Sequence, residues 1–331
     1  MKEEQGVLGK KKRKTTTDKV DSQEYGCNKT FDTSNKEKRI LITGANSYIG
    51  SHFSDYCLKH YKSFEIDELD MISSSWQDHS FKGYDAVLHV AGIAHVDIKA
   101  VDESMKALYY KINTDLVYET AKKARKNGVR QFIFMSSVII YGDSAPYMRD
   151  KVIGKDTVPA PDNIYGDSKL RADRILCRMN DEDFHTAVVR SPMVYGPGCK
   201  GNYSALSIIA RKTPIFPKVD NKRSMLYIEN LCEFLAQLIC SGEGGIYFPQ
   251  NREYVNTSDM VRMINRKTHG FVFVTGLLKP VVGLFSGIPG RIGILTNKAF
   301  GNCICDMELS EYEGLDYQKY SFEESIQRTE A

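Results

Sequence analysis

The chain has 331 residues, 42% hydrophobic and 26% charged, proportions of a water-soluble globular protein with room for one large domain or two small ones. Its formal net charge of +3 lies wholly in residues 1–38, where ten Lys/Arg meet seven Asp/Glu; beyond them 35 cations cancel 35 anions. A neutral body excludes nucleic acid as the main partner, because binding phosphates needs a basic surface. Eight cysteines without a C-x-x-C pair or a secretory signal predict reduced thiols in the cytoplasm. The seven histidines show no metal-ligand spacing, so no metal is expected.

Residues 1–38, with the run Lys10-Lys-Lys-Arg-Lys14, are polar and aperiodic and are expected to form a disordered basic tail outside the fold. Order is expected from Arg39-Ile-Leu-Ile-Thr43, an apolar run that reads as a buried strand. Gly44-Ala-Asn46-Ser47-Tyr48-Ile49-Gly50 follows, then a helical stretch to about Tyr61. Strand, glycine turn and helix make a dinucleotide site. Gly44 permits the tight turn, Gly50 lets helix and strand approach, and the helix N-terminus faces a pyrophosphate. Ser47 replaces the middle glycine of G-x-x-G-x-x-G, but it is small and can itself donate to phosphate.

Phe64–Met71 reads as the next strand and carries Glu65, Asp67, Glu68 and Asp70. An acid about 20 residues past the glycine turn would bind a ribose 2′-hydroxyl and select NAD over NADP. With four acids in one run the choice between NAD and NADP stays open; Asp70 is taken as the cofactor candidate. A third strand, Tyr84–Gly92, ends in Val90, Ala91 and Gly92, small enough to let a cofactor approach the backbone. His89, within it, reads as a core or edge histidine rather than a catalyst. A helix is expected over about 104–126, with Asn113 inside it and Asn127-Gly128 at its end.

Gln131–Met135 is read as a strand that delivers Ser136 and Ser137 to its carboxyl end, where open parallel sheets bind ligands. Tyr165 and Lys169 lie at i and i+4, one helical turn apart on one face, with Asp162 and Asn163 as N-cap candidates just before them. A fixed ammonium beside the phenol should lower its pKa from about 10 and let it move a proton near neutral pH. Alternating strands and helices over 39–190 predict a parallel, doubly wound α/β sheet. Residues 271–295 are apolar but broken by Lys279, Pro280, Pro289 and Arg291, which rules against a spanning helix and predicts short helices covering the C-terminal lobe, with a membrane-leaning patch as the alternative.

In this order, Thr43-Gly44…Gly50, Val90-Ala91-Gly92, Asn113, Ser137, Tyr165-x-x-x-Lys169 and Arg190-Ser-Pro192-Met-Val-Tyr-Gly-Pro197 resemble the extended short-chain dehydrogenase/reductases, the nucleotide-sugar epimerases, dehydratases and reductases. The resemblance spans nearly all of 39–331. It implies a Rossmann-type NAD(P)-binding domain at 39–190 and a smaller, interleaved substrate-binding lobe at 191–331. It also implies Tyr165 as acid/base, Lys169 on the nicotinamide ribose, Ser137 on the substrate oxygen, and Asn113 and Pro192 near the cofactor. Gly198-Cys-Lys-Gly-Asn202 and Asn221-Lys-Arg223-Ser resemble the diphosphate-binding segments of UDP-sugar enzymes, with Asn202 and Arg223 on the diphosphate; an arginine fork suits that ligand.

These segments are most similar to reductases and epimerases of bacterial capsule and O-antigen synthesis, among them enzymes that reduce UDP-4-keto-6-deoxy-N-acetylhexosamines. Dehydratases of the family carry Asp-Glu where this chain has Val138-Ile139, side chains that transfer no protons. The expected activity is therefore reduction at C4. A 4-epimerase with retained NAD is the alternative, and a non-catalytic dinucleotide or nucleotide-sugar sensor the remote one. The family also implies a homodimer.

Overall fold

The computed structural model describes residues 24–34, 37–94, 102–268 and 270–331. In chain order the first half runs β1 (Lys38–Thr43), α1 (Tyr48–His60), β2 (Phe64–Leu69), β3 (Ala86–His89), α2 (Glu103–Tyr110), α3 (Leu116–Lys126), β4 (Gln131–Ser137), β5 (Val152–Ile153), α4 (Ile164–Met179) and β6 (His185–Ser191). The second half runs β7 (Met193–Tyr195), α5 (Asn202–Lys212), β8 (Ile215–Pro217), β9 (Met225–Tyr227), α6 (Ile228–Ser241), β10 (Gly245–Tyr247), α7 (Thr257–Lys267), β11 (Phe273–Thr275), α8 (Lys279–Ser286), α9 (Arg291–Phe300), β12 (Ile304–Cys305) and α10 (Phe322–Thr329).

Six strands form one parallel sheet in the order β10-β6-β4-β3-β1-β2. Apart from the edge strand β2, its strands are short apolar runs because both faces are covered. Along β1, Ile40 and Ile42 join one core, packed with α1 and α6, while Leu41 joins the other, with α3 and α4. That alternation is the period of two that a strand imposes. Full burial of each such side chain contributes about 2 kcal/mol. From β1 the chain steps to β2 on one side and later to β3 on the other, so a crevice opens at their carboxyl ends, where strand order reverses.

Three expectations change. Residues 24–34 belong to the fold: Tyr25 bridges Ile246 at the sheet edge, and Phe31 is buried against Tyr247 and Tyr312. The basic run at 10–14 lies outside the described residues. The helix expected over 104–126 is three pieces, with a π-helical turn, Lys111–Asp115, between α2 and α3. Helices α8 and α9 do form in the apolar 271–295 stretch, yet Leu277, Leu284, Ile292 and Leu295 point to solvent rather than covering a core.

Candidate active site

The glycine turn sits between the ends of β2 and β3. Gly44 and Ala45 amides donate to the Leu69 carbonyl, and Val90 and Ala91 amides donate to that of Thr43. Gly44 has φ +115°, and a Cβ there would lie 2.7 Å from the Ala91 nitrogen. No other residue fits so close an approach in that conformation. Ser47 is the N-cap of α1, its Oγ accepting from the Gly50 amide at 3.2 Å, so its own O–H remains free to donate. Asn46 completes the turn at φ 59°, and Ile49 sits in the first turn of α1. The Tyr48 hydroxyl is buried near Gly196 with no hydrogen-bond partner among the described residues.

The four acids of the β2 run separate in space. Asp67 takes Arg39 and the Tyr84 hydroxyl, and Glu68 takes the Ser54 hydroxyl and the Asn46 amide. Asp70 is exposed just past the carboxyl end of β2, where it accepts from the Ile72 amide.

Opposite the turn, Asn113 is fully buried within the π-turn. Its amide group holds the Ile93 backbone from both sides: Oδ1 accepts from the Ile93 N–H and Nδ2 donates to the Ile93 carbonyl, each at 3.0 Å. Nδ2 also donates to Ser168 Oγ on α4. A π-turn re-aims one side chain without ending the helix, and such turns concentrate at functional sites. At Gly92 an added Cβ would meet Asn113 Oδ1 at 3.1 Å and Lys169 Nζ at 3.3 Å.

Helix α4 begins at Asn163, which caps the Gly166 amide at 2.9 Å and places Tyr165 in the first turn. That turn packs on the short 3-10 helix Val138–Tyr141 that follows β4, so Tyr165 faces Ser137. Ser137 Oγ itself accepts from the Ile139 amide at 3.3 Å. Burial raises the Tyr165 hydroxyl to about 12; a hydrogen bond with Ser137 pulls downward and nearby Tyr109 pushes upward. This reverses the expected lowering by Lys169. The Lys169 ammonium is turned to the Met135 carbonyl at 2.9 Å, over the Phe134 ring, and burial depresses its own pKa to about 8. At neutral pH the site thus holds a protonated phenol.

His89 is fully buried, with Nδ1 2.8 Å from Thr43 Oγ1 and Nε2 unpartnered among the described residues. Burial first, and then Lys169, lower its pKa to about 3, which keeps the imidazole neutral. Sequence reading missed the network behind β4. Asp173, one turn past Lys169, accepts from Arg190 Nε and NH2 at 2.9 and 2.7 Å and from Ser136 Oγ, while Arg190 NH1 donates to the Tyr141 hydroxyl. No local signal marks it: Asp173 lies at i+4 from Lys169, yet the lysine turns to Met135 and the carboxylate to Arg190, 17 residues on. Pro192 is buried directly after β6.

In the C-terminal half, Asn202 is exposed at the first residue of α5. That helix is held from behind by the buried Glu330 carboxylate, which accepts from Tyr203, Ser207 and Arg211. Arg223 donates NH1 to the Gly301 carbonyl at 3.1 Å and has no ion-pair partner among the described residues; burial lowers its pKa. Asn202 and Arg223 share no hydrogen bond.

The residues present fit a dinucleotide. The helix N-terminus, the bare backbone at Gly44 and Gly92, and Lys169 beside Gly92 leave room that side chains would fill. Among the described residues no group of three His, Cys, Asp or Glu could hold a metal, all eight cysteines are free, and no helix is long and apolar enough to cross a membrane.

The chain is 28% identical over 250 residues to the UDP-glucose 4-epimerase of Vibrio cholerae, covering 68% of this chain and 74% of that protein. It is 26% identical over 213 residues to the N-acetyl-alpha-D-glucosaminyl-diphospho-ditrans,octacis-undecaprenol 4-epimerase of Escherichia coli O157:H7, covering 59% and 61%. The fold matches RMD from Pseudomonas aeruginosa complexed with NADPH (TM-score 0.66, 17% identity, 88% of this chain and 97% of that one). It also matches UDP-glucuronic acid 4-epimerase from Bacillus cereus in complex with NAD (TM-score 0.64, 15% identity, 88% and 96%). Residues 40–247 match the NAD dependent epimerase/dehydratase family. The chain belongs to that family and is an NAD(P)-dependent enzyme of the epimerase and reductase type.

Proposed function

We propose that the protein reduces the C4 keto group of a UDP-4-keto-6-deoxy-N-acetylhexosamine. The observation that carries this reading is the Ser137–Tyr165 pair at the carboxyl end of β4, with the phenol held protonated and Lys169 buried one turn along. A reduction needs a proton donor for the new alkoxide, and a phenol near pKa 12 supplies one at pH 7.

When bound, NAD(P)H supplies the hydride. Gly44, Asn46, Ser47, Tyr48, Ile49 and Gly50 would hold its pyrophosphate, Asp70 its adenosine ribose, and Val90, Ala91, Gly92, Asn113 and Pro192 its nicotinamide half. Ser137 Oγ orients the substrate carbonyl, and Tyr165 gives its proton to the C4 oxygen. Lys169, anchored on Met135, presents its ammonium beside Gly92, where a ribose hydroxyl can accept from it. Arg223, a cation without an acid partner among the described residues, and the Asn202 amide take the diphosphate oxygens. Val138 and Ile139 support reduction or epimerisation over dehydration, because neither can move a proton.

The second reading is a 4-epimerase that oxidises C4 and reduces the other face with retained NAD. The names of the Vibrio cholerae and Escherichia coli relatives favour it, and both describe diphosphate-linked sugars. Purified protein given the UDP-4-keto sugar with NADH or NADPH should oxidise one equivalent of cofactor per equivalent of sugar. Interconversion of UDP-glucose and UDP-galactose without added cofactor, and no oxidation with the keto sugar, would make the second reading the correct one.

A further inference from the structure

The apolar side chains left in solvent are not scattered. Among the described residues, nine of the nineteen exposed large apolar ones fall between 271 and 295. Phe271 is 80% exposed, Leu277 85% and Leu284 67%, with Phe285, Ile292 and Leu295 nearby. Phe271 precedes β11, Leu277 lies in the 3-10 turn Gly276–Leu278, and the others lie on the mutually packed α8 and α9. Single exposed apolar residues are ordinary, but a run of neighbouring ones marks a surface that something covers.

The charge of the same stretch indicates what covers it. Between Asp259 and Asp306 there is no acidic residue, while Arg262, Arg266, Lys267, Lys279, Arg291 and Lys298 are all cationic. Arg262, Lys279 and Lys298 pair with Asp259, Asp220 and Asp143. Arg266, Lys267 and Arg291 have no ion pair among the described residues. Large apolar groups interleaved with unopposed cations match an anionic bilayer surface, where the apolar chains enter the headgroup boundary and the cations meet lipid phosphates. Helix α8 has eight residues and α9 ten, too few to cross a bilayer.

We propose that the α8–α9 pair, with the turn before it, docks the protein on an anionic phospholipid bilayer. The pair is hydrogen-bonded to segments that flank the candidate site. The Tyr147 amide, in the loop after Ser137, donates to Ser286 Oγ and Asn297 Oδ1 on α8 and α9, and Gly301, just past α9, accepts from Arg223. Docking would therefore hold the Arg223 side of the site close to the membrane plane. This docking is independent of which sugar reaction the site performs.

The test is flotation of the full chain with vesicles of phosphatidylcholine alone and of an equal mixture with phosphatidylglycerol. The protein should float only with the mixed vesicles, and less so as salt rises. Leu277→Glu with Leu284→Glu should lower binding about tenfold or more, and Arg291→Ser about fivefold. Ile72→Glu, 96% exposed but elsewhere on the surface, should change nothing. Should the double variant misfold by circular dichroism, Arg291→Ser still decides, as that side chain is exposed. Flotation unaffected by phosphatidylglycerol, or equal for parent and Arg291→Ser, would overturn the proposal. So would a concentration-dependent dimer that Leu284→Glu dissolves while no vesicle binding is seen, since the surface would then be an interface between copies.

Discussion

The ammonium of Lys169 donates to the carbonyl of Met135, two residues before Ser137, at 2.9 Å. One strand, β4, therefore fixes both the lysine and the serine of the site, and the spacing between them does not depend on any loop. Burial opposes the charge: the depression from 10.5 to about 8 corresponds to about 3 kcal/mol against the folded state at neutral pH. Because a lysine's folded pKa is lowered, that cost is fully present below pH 8 and disappears as pH rises to about 10.5. Lys169→Met should lose turnover by roughly 100-fold or more. It should nevertheless melt higher at pH 7, by about 1–2 kcal/mol once the lost Met135 bond is subtracted, with the gain fading toward pH 10. Thermal melts across pH check this.

His89 carries the acid side of the stability curve. Its pKa of about 3 in the fold stands against about 6.5 in the unfolded chain, so the unfolded state binds more protons between those values. The neutral-histidine contribution is fully present above pH 6.5 and is lost as pH falls toward 3. At pH 5 the loss is about 2 kcal/mol. His89→Gln, which can still reach Thr43, should show a smaller drop in Tm than the parent between pH 7 and pH 5.

Breaking the pair behind β4 should cost far more than its position away from the reacting atoms suggests. Asp173→Leu leaves the Arg190 guanidinium buried without its carboxylate, which typically costs about 3–5 kcal/mol. Replacing both, Asp173→Leu with Arg190→Met, should recover much of that loss. Denaturant unfolding of the two single variants and the double variant measures the coupling.

Most of the sheet was legible because its inner strands are apolar on both faces and its turns carry Gly or Asn at the ends. The reading of Asn163 as a cap and Tyr165 as a first-turn residue also rested on local chemistry alone. What escaped was long-range. That Asp173 pairs with Arg190, that Asn113 holds Ile93, and that Lys169 turns to Met135 rather than to the phenol are contacts between segments 17 to 34 residues apart, set by packing. The Tyr165 pKa went the wrong way for the same reason, since burial cannot be read from an i,i+4 spacing. Phe31 was misplaced because one buried aromatic in a polar stretch gives no periodic signal.

Arg223 tests the diphosphate assignment. Arg223→Ala removes a cation whose only described hydrogen bond is to the Gly301 carbonyl, so the fold should lose about 1 kcal/mol or less. KM for the UDP-sugar should rise about tenfold or more with kcat changed far less, the signature of lost uniform binding. Arg223→Lys should recover only part of it, because an ammonium cannot make the paired contacts of a guanidinium.

The most direct measurement is single-turnover oxidation of NAD(P)H with the 4-keto sugar by the parent and by Tyr165→Phe, with cofactor affinity followed by nicotinamide fluorescence. The phenylalanine variant keeps the ring and removes the hydroxyl that bonds Ser137. The account predicts a rate lower by about 100- to 10,000-fold with cofactor binding unchanged. A variant as fast as the parent would contradict it.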